Sequence, residues 1–125
     1  MAKESKAMLR RRTLTSDQVL HAIAHGEFGP DVVFSRGNVA IIMTQDWCTQ
    51  WQSMEEWLNL LDDGIAVDIY ELCYNRIDCF QDFLSLKERV WKNQTIPYVR
   101  YYRDGRLITE SNYISRKEFL GILGL

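Results

Sequence analysis

Cysteine is scarce in this sequence, with three in 125 residues. So small and odd a number excludes a disulfide-stapled secreted scaffold, and in a reducing cytosol the three would rest as thiols. No apolar run has the length that a signal peptide or a membrane span requires, so the sequence reads as cytoplasmic, with no membrane partner. An excess of charge is missing as well. The 15 basic residues against 17 acidic ones give no reason to expect a nucleic-acid partner. There is no Ser/His/Asp constellation, phosphate-cradling glycine loop or zinc spacing, so hydrolase, nucleotide-dependent and structural-zinc functions have no support. Neither an internal repeat nor a linker interrupts the chain.

What is present is enough apolar residue, 46% of the chain, to bury one real core. Residues 1–14 carry Lys3, Lys6, Arg10, Arg11 and Arg12 without hydrophobic periodicity and read as a flexible basic arm before a single domain, 15–125. Ser16 is a helix cap candidate, followed by Val19, Leu20, Ile23 and Ala24 on one helical side up to Gly26. Val32 to Phe34 is a short apolar run, either a strand or a buried turn. Val39 to Met43 is a continuous apolar run, the pattern of a strand buried on both faces.

After it, Trp51, Met54, Trp57, Leu58 and Leu61 recur at helical spacing as far as Gly64. Ile65 to Leu72 reads as a second strand, and Phe80 to Trp91 as a helix with a broad apolar face. Asp104-Gly105 marks a tight turn between Tyr98–Tyr102 and Arg106–Thr109, and Ser115 caps a last helix with Phe119, Leu120 and Leu123 on its apolar side. The order predicts an α/β three-layer sandwich: a central mixed sheet with a C-terminal antiparallel hairpin, flanked by helices.

In such sheets, ligands gather beyond the carboxyl ends of the parallel strands. Cys48 falls at that kind of junction, at the start of a helix. The unsatisfied N–H groups and positive dipole end of a helix favour thiolate, the form that attacks disulfides.

Trp47-Cys48-Thr49-Gln50-Trp51 after a buried strand, Thr95-Ile96-Pro97 before the hairpin, and Asp104-Gly105 at its turn together resemble the thioredoxin family from about Val39 to the C-terminus. The resemblance implies a thioredoxin-like fold, Cys48 as redox nucleophile, a cis proline at Pro97 beside it, and a groove of Trp47, Trp51, Ile96 and Pro97. Protein thiols or disulfides would be the partners, with glutathione as a small-molecule alternative; no cofactor is implied.

Three departures stand against it. The family's second cysteine is Trp51 here, giving C-x-x-W. Its buried aspartate, six residues before the nucleophile, is Ile42. A groove glycine after the hairpin is missing where Asn112 and Tyr113 stand. A dithiol cycle needs a second thiol to release the mixed disulfide, and Cys48 supplies only the first step. Glutathione, Cys73 or Cys79 could resolve it; alternatively Cys73 and Cys79 form a regulatory disulfide, or rest as buried thiols.

Two function classes remain: a monothiol thiol–disulfide oxidoreductase, and a non-enzymatic interaction module with Cys48 a remnant. The monothiol glutaredoxins share a Thr-x-Pro turn, but their glycine-rich motifs are absent. Trp51 either packs into the core or shields Cys48. His21 and His25, four apart on one helix, lack a third local ligand for a metal. Arg100, Arg103 and Arg106, on or near the hairpin, read as a solvated rim.

Overall fold

The computed structural model describes residues 9–125. A five-stranded sheet has the order β1-β3-β2-β4-β5, formed by Arg10–Thr13, Asn38–Thr44, Asp68–Cys73, Tyr98–Arg103 and Arg106–Ser111 numbered in chain order. Strands β1, β3 and β2 run parallel, while β4 and β5 are antiparallel additions. Helices α1 (Ser16–His25), α2 (Pro30–Val33) and α4 (Phe80–Ser85) contribute to the core on one face, and α3 (Thr49–Leu58) and α5 (Arg116–Leu123) to the core on the other. This is the three-layer α/β sandwich with a C-terminal hairpin that the sequence predicts.

The central strand β2 is buried from Val39 to Thr44, because its neighbours β3 and β4 take its backbone groups and helical layers cover both faces. Alternation splits its side chains: Val39, Ile41 and Met43 enter one core, and Ala40 and Ile42 the other. Burying each of the larger ones, Val39, Ile41, Ile42 and Met43, contributes about 1.5–3 kcal/mol.

The basic segment departs from the reading as a flexible arm. Arg10–Thr13 is an edge strand paired with β3, and its arginines meet acidic residues on that neighbour. Arg10 donates two hydrogen bonds of 2.7 Å to fully buried Asp68, and Arg11 donates to Glu71 at 2.6 Å. Charge there marks an edge strand with complementary partners, not a solvated tail. Residues 1–8 of the expected arm lie outside the described residues.

Smaller differences follow local chemistry. Thr15, not Ser16, caps α1, forming a reciprocal box with Gln18. The run at Val32 to Phe34 forms neither a strand nor a simple turn: Pro30 starts a short helix whose first position needs no N–H. Strand β3 begins at Asp68, later than Ile65, since Val67 turns back to bond the Ile65 carbonyl at 3.0 Å. The helix from Phe80 continues as a π-helical stretch, Leu86–Val90, before Trp91.

Asp104 and Gly105 adopt φ of 51° and 81°, the left-handed pair a two-residue hairpin requires. A Cβ on Gly105 would also come within 2.2 Å of the Phe34 ring.

Candidate functional site

Cys48 is the N-cap of α3. With φ −77° and ψ 115°, its extended backbone turns the sulfur onto the first helical turn, where Sγ accepts the Trp51 N–H at 3.4 Å. The sulfur therefore occupies the place a serine or aspartate oxygen takes at other helix starts. The residue is nonetheless only 4% exposed. It packs with Trp51, Met54 and Leu58 of α3, and Ile96 lies against the same cluster.

Fully buried Ile42 belongs to that cluster as well, so an apolar side chain fills the place where the resemblance calls for an aspartate.

The sequence-nominated residues divide into three groups. Cys48, Trp51 and Ile96 come together in one apolar cluster, and Pro97, joined to Ile96 by a cis peptide bond, is buried. Trp47 points outward at 64% exposure, its indole N–H donating to Gln45 Oε1 at 2.6 Å. Cys73 and Cys79 are free thiols of intermediate exposure.

Cys73, at the end of β3, lines a cavity of about 510 Å³ with Thr44, Trp51, Glu55 and Arg76. Cys79 lines a neighbouring one of about 350 Å³. Cys48 is not among the residues lining either cavity. Trp51, only 8% exposed, is thus shared between the cluster around Cys48 and the cavity of Cys73.

Electrostatics at the junction come from a motif not picked out in the sequence. Asn75, just after β3, accepts the Asp46 N–H at 3.1 Å and the Cys73 thiol at 3.4 Å, and donates to Asp46 Oδ1 at 2.8 Å. Arg76 completes the set at 2.9 Å from Asp46. The Asn75 and Arg76 hydrogen bonds hold the Asp46 carboxyl below its ordinary range. Burial pushes the Cys73 thiol up, Asp46 and Glu55 add to that, and Arg76 opposes them. This knot ties the loop leading to Cys48 to the end of β3. Polar side chains 29 and 30 residues apart give no periodic signal, so only the fold reveals it.

The His21 and His25 rings lie against each other at a tilt of 43°, with centroids 4.4 Å apart. Among the described residues, no group of three or more His, Cys, Asp or Glu side chains could hold a metal ion, and no helix is long and apolar enough to cross a membrane. Arg100 is not part of a solvated rim but buried, a correction that its neighbours explain. It donates to Glu27 at 2.7 Å and to the Tyr102 and Tyr98 hydroxyls at 2.8 and 2.9 Å, and lies over the Trp91 ring at 4.2 Å.

No protein-family model and no curated protein matches this chain. Solved structures do. Thioredoxin f from spinach chloroplast, short form, is 15% identical with a TM-score of 0.65, over 97% of this chain and 96% of its own. A mutant thioredoxin from Halobacterium salinarum is 11% identical with a TM-score of 0.64, over 98% and 93%. Thioredoxin f2 in complex with ferredoxin:thioredoxin reductase is 13% identical with a TM-score of 0.60, over 95% and 96%.

Proposed function

We propose that this chain, which has the thioredoxin fold, acts as a monothiol thiol–disulfide exchange protein through Cys48. The observation that carries the reading is the cap of α3, where a helix N–H points at the Cys48 sulfur. The thiolate attacks one sulfur of a partner disulfide. The new Cys48–S bond forms as the old S–S bond breaks, and the other partner sulfur leaves as thiolate.

Trp51 supplies no second thiol, so release falls to another thiolate. Glutathione is the small-molecule candidate, in a reducing compartment such as the cytoplasm. It attacks the Cys48 sulfur of the mixed disulfide, becomes joined to Cys48, and liberates the partner reduced; a second glutathione then attacks the glutathionyl sulfur, so that Cys48 leaves as thiolate and oxidised glutathione forms.

An extended peptide would lie beside Trp47, Ile96 and Pro97. Among the described residues Ile96 makes no backbone hydrogen bond, so its N–H and C=O are unpaired groups of the kind an added peptide strand takes up.

A second reading, an interaction module without turnover, is favoured by one observation. Cys48 is covered while Trp47 beside it is exposed, the arrangement of a binding surface over a retired thiol. Incubating the Cys73→Ser/Cys79→Ser protein with oxidised glutathione separates the two. Exchange predicts one glutathionyl group on Cys48 by mass spectrometry, removed by added glutathione. An unmodified Cys48 leaves the binding reading in its place.

A further inference from the structure

Asn112, in the segment after the hairpin where the resemblance called for a glycine, hydrogen-bonds to the Thr95-Ile96-Pro97 turn through its side chain. Its Nδ2 has the Pro97 carbonyl at 2.9 Å, the Thr95 carbonyl at 3.0 Å and Asn93 Oδ1 at 3.0 Å within reach, so its two hydrogens serve three acceptors, one of them shared. Its Oδ1 accepts from Asn93 Nδ2 at 3.1 Å, so the two amides pair reciprocally. The carbonyls on both sides of Ile96 are therefore tied to one side chain, carried on the segment that follows β5.

Asn93 is fixed in turn. Its Oδ1 accepts the Thr95 N–H at 3.1 Å, its own N–H donates to the Lys87 carbonyl at 3.0 Å, and buried Lys87 donates to the Asn93 carbonyl at 2.8 Å. These contacts engage polar groups of residues 93, 95 and 97 and leave the Ile96 N–H and C=O without a partner among the described residues. The Ile96 side chain, meanwhile, packs against the cluster that holds Cys48.

Resting on the thiol-exchange reading, we propose that Asn112 is a positioning residue. By holding the Thr95 and Pro97 carbonyls it presets the Ile96 backbone as a one-residue strand edge, so that an extended cysteine-containing peptide meets Cys48 already aligned. A flexible turn would have to be ordered at each encounter, and that ordering entropy would come out of the affinity. A glycine at this point would form a groove wall by its small size; an asparagine forms one by its hydrogen bonds.

The test uses the full chain in the Cys73→Ser/Cys79→Ser background, as wild type at position 112, as Asn112→Ala and as Asn112→Asp. The aspartate keeps the shape but cannot donate to the two carbonyls. Mixed-disulfide formation at Cys48 is timed with two probes: a short peptide whose cysteine is held as a thionitrobenzoate disulfide, and 2-hydroxyethyl disulfide, which has no peptide backbone. The ratio of peptide rate to small-disulfide rate is expected to fall about tenfold in both variants, the size of one or two lost hydrogen bonds.

An unchanged ratio overturns the proposal, since a merely structural Asn112 would slow both probes alike. If Cys48 of the parent reacts with neither probe, the exchange reading fails on its own. Position 112 is then decided by non-covalent binding of the same peptide with serine for cysteine, followed at the Ile96 amide by NMR. About tenfold weaker binding in Asn112→Ala supports the positioning role, and equal or absent binding in both proteins rejects it.

Discussion

The two faces of the sheet bury different chemistry. All three buried charged residues among the described residues, Asp68, Lys87 and Arg100, lie on the face of α1, α2 and α4 or at its edge. There Arg10 and Arg36 reach Asp68 at 2.7 and 3.1 Å, and Glu27 meets Arg100. The opposite face, where α3 carries Cys48, is packed with Ile42, Met54, Leu58, Val99 and Phe119. A desolvated charge is tolerated where partners complete it, and on the apolar face the Cys48 sulfur accepts the Trp51 N–H. That hydrogen-bond donor is a backbone group at a helix start, 3.4 Å from the sulfur, whereas Asp68 and Arg100 on the other face are met by side chains.

The sharpest way to break the contrast is Ile42→Asp, which puts a carboxylate at a site fully buried in the apolar cluster. A loss of about 4 kcal/mol or more is expected, enough to unfold much of the protein, and denaturant titration reads it. A soluble variant of unchanged midpoint would show that water reaches this face.

Glu27→Gln attacks the other face by removing the carboxylate that Arg100 meets at 2.7 Å while the guanidinium stays 5% exposed. About 2–3 kcal/mol should be lost, short of the full cost of an orphaned buried charge because Glu110 remains 3.9 Å away. Thermal unfolding of the variant beside the parent measures it, and an unchanged midpoint would mean that Arg100 is satisfied by its tyrosines alone.

A gentler probe is pH. Burial lowers Lys87 to about 8, against the partial opposition of Glu88, and its Nζ lies 5.6 Å from the Tyr98 ring centre. An unfolded lysine titrates near 10.4, so above pH 8 the unfolded chain binds more protons than the folded one, and stability rises with pH. Between pH 8 and the onset of tyrosine ionisation near 10, a rise on the order of 1 kcal/mol is expected that Lys87→Met lacks. Parallel curves for the two proteins would remove Lys87 as its source.

The smallest effect concerns Cys73. Its alkylation in a Cys48→Ser/Cys79→Ser protein should need a higher pH than free cysteine, with a midpoint above about 8.5. Arg76→Ala should raise that midpoint and Glu55→Gln lower it, following the signs of their charges. Shifts in the opposite directions would contradict the described neighbourhood of the cavity.

Much of the architecture was readable because it is written in local codes. The apolar run of β2, the helical spacing of Trp51, Met54 and Leu58, and the turn chemistry of Asp104-Gly105 each need only neighbouring residues to be interpreted. Strand β1 was not readable, because its meaning lies in Asp68 and Glu71, respectively 58 and 60 residues away from Arg10 and Arg11. The burial of Arg100 escaped for the same reason, with Glu27 73 residues distant.

At the candidate site, the sequence singled out Cys48 but not its coverage, and noticed Asn112 only as a missing glycine. Both the coverage and the clamp depend on loops brought together by the sheet.

The measurement that bears most directly on the central claim is the reaction of Cys48 with oxidised glutathione at neutral pH in the Cys73→Ser/Cys79→Ser protein, timed against free cysteine under the same conditions. A helix-capping thiolate predicts faster formation of the mixed disulfide than free cysteine gives. A Cys48 that reacts more slowly than free cysteine, or not at all, would contradict thiol exchange and leave a binding module built on the thioredoxin fold.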